Sequence, residues 1–208
     1  MRAAALEALR RDPKPLLGVI PGARGAVIAL IGARWAGKTT VGRLLASELA
    51  RPFADLDEEI ARRAGVGVAK LLRRSEPNFR ALESAALREI AGAAPVGLVL
   101  ALGGGAPMRA ESQGCLRRFV VIHLRADPAA LRARMRSDPA PRPPFSDPIR
   151  TRRSSGFSRS GFPLMALADW DVDTDALDPQ SIAESIARRL VPLADLERER
   201  WKIPPRSG

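Results

Sequence analysis

Gly32-Ala33-Arg34-Trp35-Ala36-Gly37-Lys38-Thr39-Thr40 decides how the rest of the 208-residue chain is read. The spacing G-x-x-x-x-G-K-[ST] is that of a loop whose backbone N–H groups wrap a polyphosphate. Glycines let the chain approach the anion, the lysine ammonium lies against the outer phosphates, and the next hydroxyl binds Mg²⁺. The loop works between a strand and a helix whose positive N-terminal end faces the same anion. Ala26-Val27-Ile28-Ala29-Leu30-Ile31, just upstream, is an apolar run with β-branched residues and reads as a buried parallel strand. Downstream, Val41, Leu44, Leu45 and Leu49 share one face of a helix through Ala50. This context favours nucleotide phosphate binding over a plain glycine-rich turn with an exposed lysine. It assigns Gly32, Ala33, Arg34, Trp35, Ala36, Gly37, Lys38, Thr39 and Thr40 to the phosphates.

Working outward, Phe53-Ala54-Asp55-Leu56-Asp57 reads as a second short strand ending in two carboxylates. Period two puts Asp55 and Asp57 on one side, at the end of the sheet where ligands bind in open α/β folds. The plainer reading makes Asp57 only the N-cap of a helix from Glu58 to Ala64. A longer helix opens at Glu76 and runs to about Ile90, with Phe79, Leu82, Ala86, Leu87 and Ile90 inward. Arg80 and Glu83, three apart, read by spacing alone as a solvated ion pair. A third strand, Gly97 to Leu102, runs into Gly103-Gly104-Gly105, where bare N–H groups leave room for a ligand. Phe119 to Leu124 forms the fourth strand. It contains the sole histidine, His123, for which a core or edge role outweighs catalysis. Pro128 starts a helix through Arg136, and Trp170 to Thr174 is the fifth strand. Pro179 then leads into a helix from Gln180 to Leu190, and a polar tail follows Pro192.

Between these elements, residues 138–161 form a long Pro/Gly-rich polar stretch, which inside a small domain reads as a lid. The expected architecture is a three-layer α/β/α domain over 26–191 with a five-stranded parallel sheet. An N-terminal extension (1–25) and a C-terminal tail (192–208) flank it. Net charge is +11, but Lys14, Lys38, Lys70 and Lys202 are the only lysines. The excess is arginine dispersed along the chain rather than one basic run, which argues against nucleic acid as the partner. One cysteine, Cys115, allows no internal disulfide and suits a reducing cytoplasm. No apolar run reaches membrane-spanning length, and the N-terminus does not read as a signal peptide.

Taken together, the phosphate loop, Phe53 to Asp57, Phe79-Arg80 with Glu83, the triple glycine, Arg142-Pro143 and Val172-Asp173-Thr174 with Pro179 resemble the shikimate kinase family. That family has the nucleoside-monophosphate-kinase-like P-loop fold, and the resemblance covers about residues 26–191. It implies ATP- and Mg²⁺-dependent phosphorylation of a shikimate hydroxyl by a monomer. Asp57, Arg80 and Gly103, Gly104 and Gly105 would contact shikimate, with Arg159 as a further arginine for its carboxylate. Thr39 would ligate Mg²⁺ directly and Asp55 through water. Arg142 would reach the transferred phosphate from the lid, and Arg134 and Pro179 would grip adenine. Lys38, Asp57 and Arg142 are thus the expected catalytic residues. Trp35 stands where the family has glycine, and its indole is expected to point outward, toward solvent or the lid. Two other functions fit parts of the pattern: a ligand-sensing regulatory domain without efficient kinase activity, and a kinase for another small polyol.

Overall fold

The computed structural model describes residues 27–93, 97–138 and 167–200, with backbone alone from 191 onward. Its strands are β1 (Ile28–Ile31), β2 (Phe53–Asp55), β3 (Val99–Ala101), β4 (Val120–Arg125) and β5 (Trp170–Asp173). They form one parallel sheet in the order β2-β3-β1-β4-β5. The helices are α1 (Lys38–Glu48), α2 (Leu56–Ala64), α3 (Val68–Arg74), α4 (Glu76–Ala93), α5 (Ala110–Leu116), α6 (Pro128–Ser137) and α7 (Pro179–Arg200). A short 3-10 turn, Ala106–Met108, precedes α5.

The alternation of β1 builds both cores. Ile28 and Leu30 pack with Val41 and Leu45 of α1, Leu131 of α6, and Ile182 and Ile186 of α7. Ala29 and Ile31 face the other way, onto Leu56 and Ile60 of α2, Phe79 and Leu87 of α4, and Leu116 of α5. All four β1 residues are buried, so the strand must be apolar on both faces. The chain leaves β1 toward β2 and β3 on one side and later returns to β4 and β5 on the other. The two edges of that reversal, β1 and β3, are paired in register from Ile28 with Val99 to Leu30 with Ala101. Ligands collect at the carboxyl ends of strands flanking such a reversal. Here those ends carry the phosphate loop and the triple glycine.

Four local expectations are corrected. The α4 stripe runs through Phe79, Glu83, Ala86 and Leu87, so Leu82 stands 46% exposed while Glu83 and Ser84 are buried. The apolar period is right, but the inward face takes a polar position near the cleft. The same helix continues to Ala93. Asp55, not Asp57, is the N-cap of α2, its side chain accepting from the N–H groups of Asp57 and Glu58. Helix α7 does not stop at Leu190 but runs through Pro192 to Arg200, although proline gives no N–H to the helix. His123 is buried in the sheet, with Nδ1 2.7 Å from Asp171 Oδ1 on the neighbouring strand, as expected of a core residue.

Candidate active site

One cleft at the carboxyl ends of the strands gathers residues from seven segments, and it has two unlike halves. The first half is the phosphate loop. Gly32 has φ +144°, and a Cβ there would fall 2.4 Å from the carbonyl oxygen of Leu124, so only glycine fits where the loop leaves β1. Gly37, at φ +93°, is the N-cap of α1 and supplies no side-chain cap. The first-turn N–H groups of α1 are therefore left to an anion. The Lys38 ammonium donates to the carbonyls of Gly32 (3.0 Å) and Ala33 (2.8 Å), which holds it against the loop. Thr39 Oγ1 donates to Asp55 Oδ2 at 2.6 Å, while Asp55 Oδ1 caps α2. One carboxylate thus ties the loop hydroxyl to the end of β2.

Trp35 adopts φ +62°, a left-handed conformation that costs a non-glycine residue about 1–2 kcal/mol. Three contacts hold it there. Its Nε1 donates to Asp138 Oδ2 at 3.1 Å, Arg134 donates to its carbonyl at 3.3 Å, and the Arg34 guanidinium lies 4.7 Å from its ring centroid. The indole therefore points to the end of α6, where the 138–161 stretch begins, as expected. Arg134 also donates to Thr174 Oγ1 (3.0 Å) and to the Thr174 carbonyl, which binds α6 to the end of β5. Pro179, Arg134 and Trp35 line this same side of the cleft.

The second half is built from charges. Arg80 donates to Glu83 Oε2 at 2.9 Å and pairs with Glu76 at 3.3 Å. The Glu83 side chain is 1% exposed and that of Arg80 15%, so this is no solvated surface pair. Burial pushes the Glu83 carboxyl up, against the pull of Arg80, and the nearby Asp57 charge adds to the rise. Burial also pushes up the Asp57 carboxyl, followed by repulsion from Asp55, while Lys38, Arg80 and Arg34 oppose the shift. Asp57 Oδ1 and Glu83 Oε1 are both buried without a hydrogen-bond partner. They converge on Gly103, where a Cβ would fall 2.6 Å from Glu83 Oε1 and 2.8 Å from Asp57 Oδ1. A Cβ on Gly105 would strike the Arg80 guanidinium at 2.4–2.6 Å. Gly103 and Gly105 are thus glycine for lack of room.

The structure brings together Lys38, Thr39, Asp55, Asp57, Arg80, Gly103 to Gly105, Arg134 and Pro179 around this cleft. Arg142 and Arg159, with the rest of the stretch read as a lid, lie outside the described residues. Sequence reasoning missed Arg109, which also lines the cleft, and read Glu83 only as a surface partner. The position of Arg109 directly after the glycine turn was the available signal. Among the described residues no cluster of three or more His, Cys, Asp or Glu could hold a metal. The oxygen pair of Thr39 and Asp55 suits Mg²⁺, which keeps waters and takes phosphate oxygens as its other ligands.

The family model for shikimate kinase matches residues 34–191. A shikimate kinase from Pseudomonas syringae pv. syringae is 38% identical over 171 residues, covering 80% of this chain and 96% of that protein. Among solved structures, shikimate kinase from Bacteroides thetaiotaomicron superposes with a TM-score of 0.65 at 29% identity, over 82% of this chain and 98% of that one. The Acinetobacter baumannii shikimate kinase in complex with shikimate gives a TM-score of 0.62 at 27% identity, over 80% and 93%.

Proposed function

The chain belongs to the shikimate kinase family, and from that premise we propose how its residues divide the work. The reaction is phosphoryl transfer from ATP to a hydroxyl of shikimate, giving shikimate 3-phosphate and ADP. What carries the residue-level reading is one juxtaposition: Asp57 and Arg80 line the same cleft as Lys38 and Thr39.

Phosphoryl transfer passes through a loose transition state, so catalysis is mostly positioning and charge neutralisation. The loop N–H groups, with Gly32 to Thr40, bind the phosphates. Lys38 leaves its carbonyl partners for the outer phosphates and stays with the charge as it develops. Thr39 and Asp55 hold Mg²⁺, which when bound neutralises phosphate charge. Asp57 accepts the hydrogen bond of the attacking hydroxyl and takes its proton. Its raised carboxyl makes it a better base than an ordinary aspartate. Arg80 and the backbone of Gly103 to Gly105 hold the carboxylate and remaining hydroxyls of the acceptor. Arg134 and Pro179 flank the adenine, Arg142 reaches the transferred phosphate, and Arg159 meets the acceptor carboxylate. We further infer a cytoplasmic monomer; the single cysteine of the chain suits a reducing compartment.

The test is a steady-state assay of ADP release with shikimate, ATP and Mg²⁺. Turnover that requires both shikimate and ATP is expected. Folded protein that binds ATP but releases no ADP above background would remove the reading.

A further inference from the structure

Arg109 enters the cleft from the turn that follows the triple glycine. The 3-10 turn is closed by Met108 N–H to Gly105 O (3.1 Å) and Arg109 N–H to Ala106 O (3.4 Å). It brings residue 109 back beside the glycines. Arg109 caps α5 through its backbone alone, with no side-chain cap hydrogen bond. Its Nε is buried and makes no hydrogen bond. Glu111 Oε2 lies 3.4 Å away, within ion-pair range but not aligned to accept from that N–H. The side chain as a whole is 41% exposed, so the rest of the guanidinium reaches the open cleft.

A buried N–H on a permanently charged group costs about 1–3 kcal/mol when left without an acceptor. The Glu111 carboxylate on the same helix offsets part of that cost by its charge, without closing a hydrogen bond to Nε. The other guanidinium here, Arg80, is already engaged by Glu83 and Glu76. The charge of Arg109 also acts on Glu83, after burial, the hydrogen bond and charge of Arg80, and the charge of Asp57. Both guanidiniums line the same cleft as Gly103 to Gly105, and guanidinium donors suit a planar anion. We propose that Arg109 is a further binding residue for the acceptor's carboxylate, acting with Arg80 from the side of the glycine turn. The inference rests on the acceptor reading above and adds a specificity residue to it.

Calorimetric titration of shikimate and of its uncharged primary amide, into wild type, Arg109→Ala and Arg109→Gln, tests this. Shikimate should bind wild type more tightly than the amide does. Each variant should lose about tenfold in affinity for shikimate while its affinity for the amide moves less than about twofold. KM for ATP should stay where it is. Arg109→Gln retains length and backbone, so it carries the test if the alanine variant does not fold. Equal losses for both ligands, or none, would overturn the proposal and leave Arg109 as the partner of Glu111. Wild type that binds neither ligand would instead overturn the acceptor reading, and this inference with it.

Discussion

The two halves of the cleft solve opposite problems. On the phosphate side every prominent polar group has a partner within the protein: Lys38 on two carbonyls, Thr39 on Asp55, Asp55 on α2, and Trp35 on Asp138. On the acceptor side, Asp57 Oδ1, Glu83 Oε1 and Arg109 Nε are buried and make no hydrogen bond. A backbone cradle can be complete in the absence of its anion. A pocket that reads hydroxyls and a carboxylate by side chains must keep free lone pairs and donors for them, at a cost to stability. Recognition by unpaired buried groups is also the kind that rejects an incomplete substrate strongly.

The largest effect that would break this contrast is at Lys38. Lys38→Met keeps length but removes the charge, and kcat should fall by hundreds-fold or more, on the order of 3–4 kcal/mol. A fall below about tenfold would mean that the loop is not a catalytic phosphate site.

Next comes Asp57→Asn, with an expected loss of about a hundredfold in shikimate turnover and ATP affinity nearly intact. Equal damage to nucleotide binding would erase the division between halves. The same residue predicts two opposed pH responses. Asp57 works as the carboxylate, so kcat/KM for shikimate should fall as pH drops through a pKa above the ordinary 3.8. For stability the sign reverses. A raised carboxyl favours the folded state below 3.8, and that contribution is lost as pH rises through the folded pKa. Asp57→Asn should therefore unfold at higher urea than wild type near neutrality, and a lower midpoint would contradict the unpaired-charge account.

Gly103→Ala sharpens the contrast more gently. Its methyl would sit against Glu83 Oε1 and Asp57 Oδ1, raising KM for shikimate about tenfold with KM for ATP little changed. The smallest effect belongs to Trp35→Gly. Glycine adopts φ +62° without strain, and the indole contacts Asp138 at the end of α6, so ATP affinity should stay equal or improve slightly. A large loss of ATP affinity would show the indole to be a nucleotide contact. Trp35 fluorescence should also respond more to nucleotide with acceptor than to nucleotide alone, and Trp35→Phe should abolish that response.

The phosphate half was legible in the chain because its chemistry is local. Nine consecutive residues with a strand before and a helix after suffice to fix it. The sheet was legible too, since β1, β3 and β4 are short apolar runs ending in glycine or polar turns. The acceptor half was legible in part: the triple glycine and the paired carboxylates marked a ligand site, and what it binds came through resemblance. Spacing alone put Arg80 and Glu83 in solvent, because nothing in a three-residue interval says that a glycine turn from β3 covers the pair. It left Asp57 open between a cap and a site carboxylate, because Asp55 and Asp57 are equivalent capping residues until the start of α2 at Leu56 is known. Arg109 was passed over among many dispersed arginines, since its place after the glycine turn gains meaning only once that turn is seen to line the cleft.

Of the three consecutive glycines, the middle one differs from its neighbours. A Cβ on Gly104 would meet nothing nearer than 3.6 Å, the Cγ of Arg34, which is ordinary contact. The close approaches at 103 and 105 are to the side chains of Glu83, Asp57 and Arg80, whereas a Cβ at 104 would displace none of these. In a library of variants passed through a first sieve for folding and a second for turnover, losses at 103 and 105 should include displacement of those side chains, whereas losses at 104 should not. Whatever the second sieve removes at 104 would measure how closely the acceptor approaches that backbone.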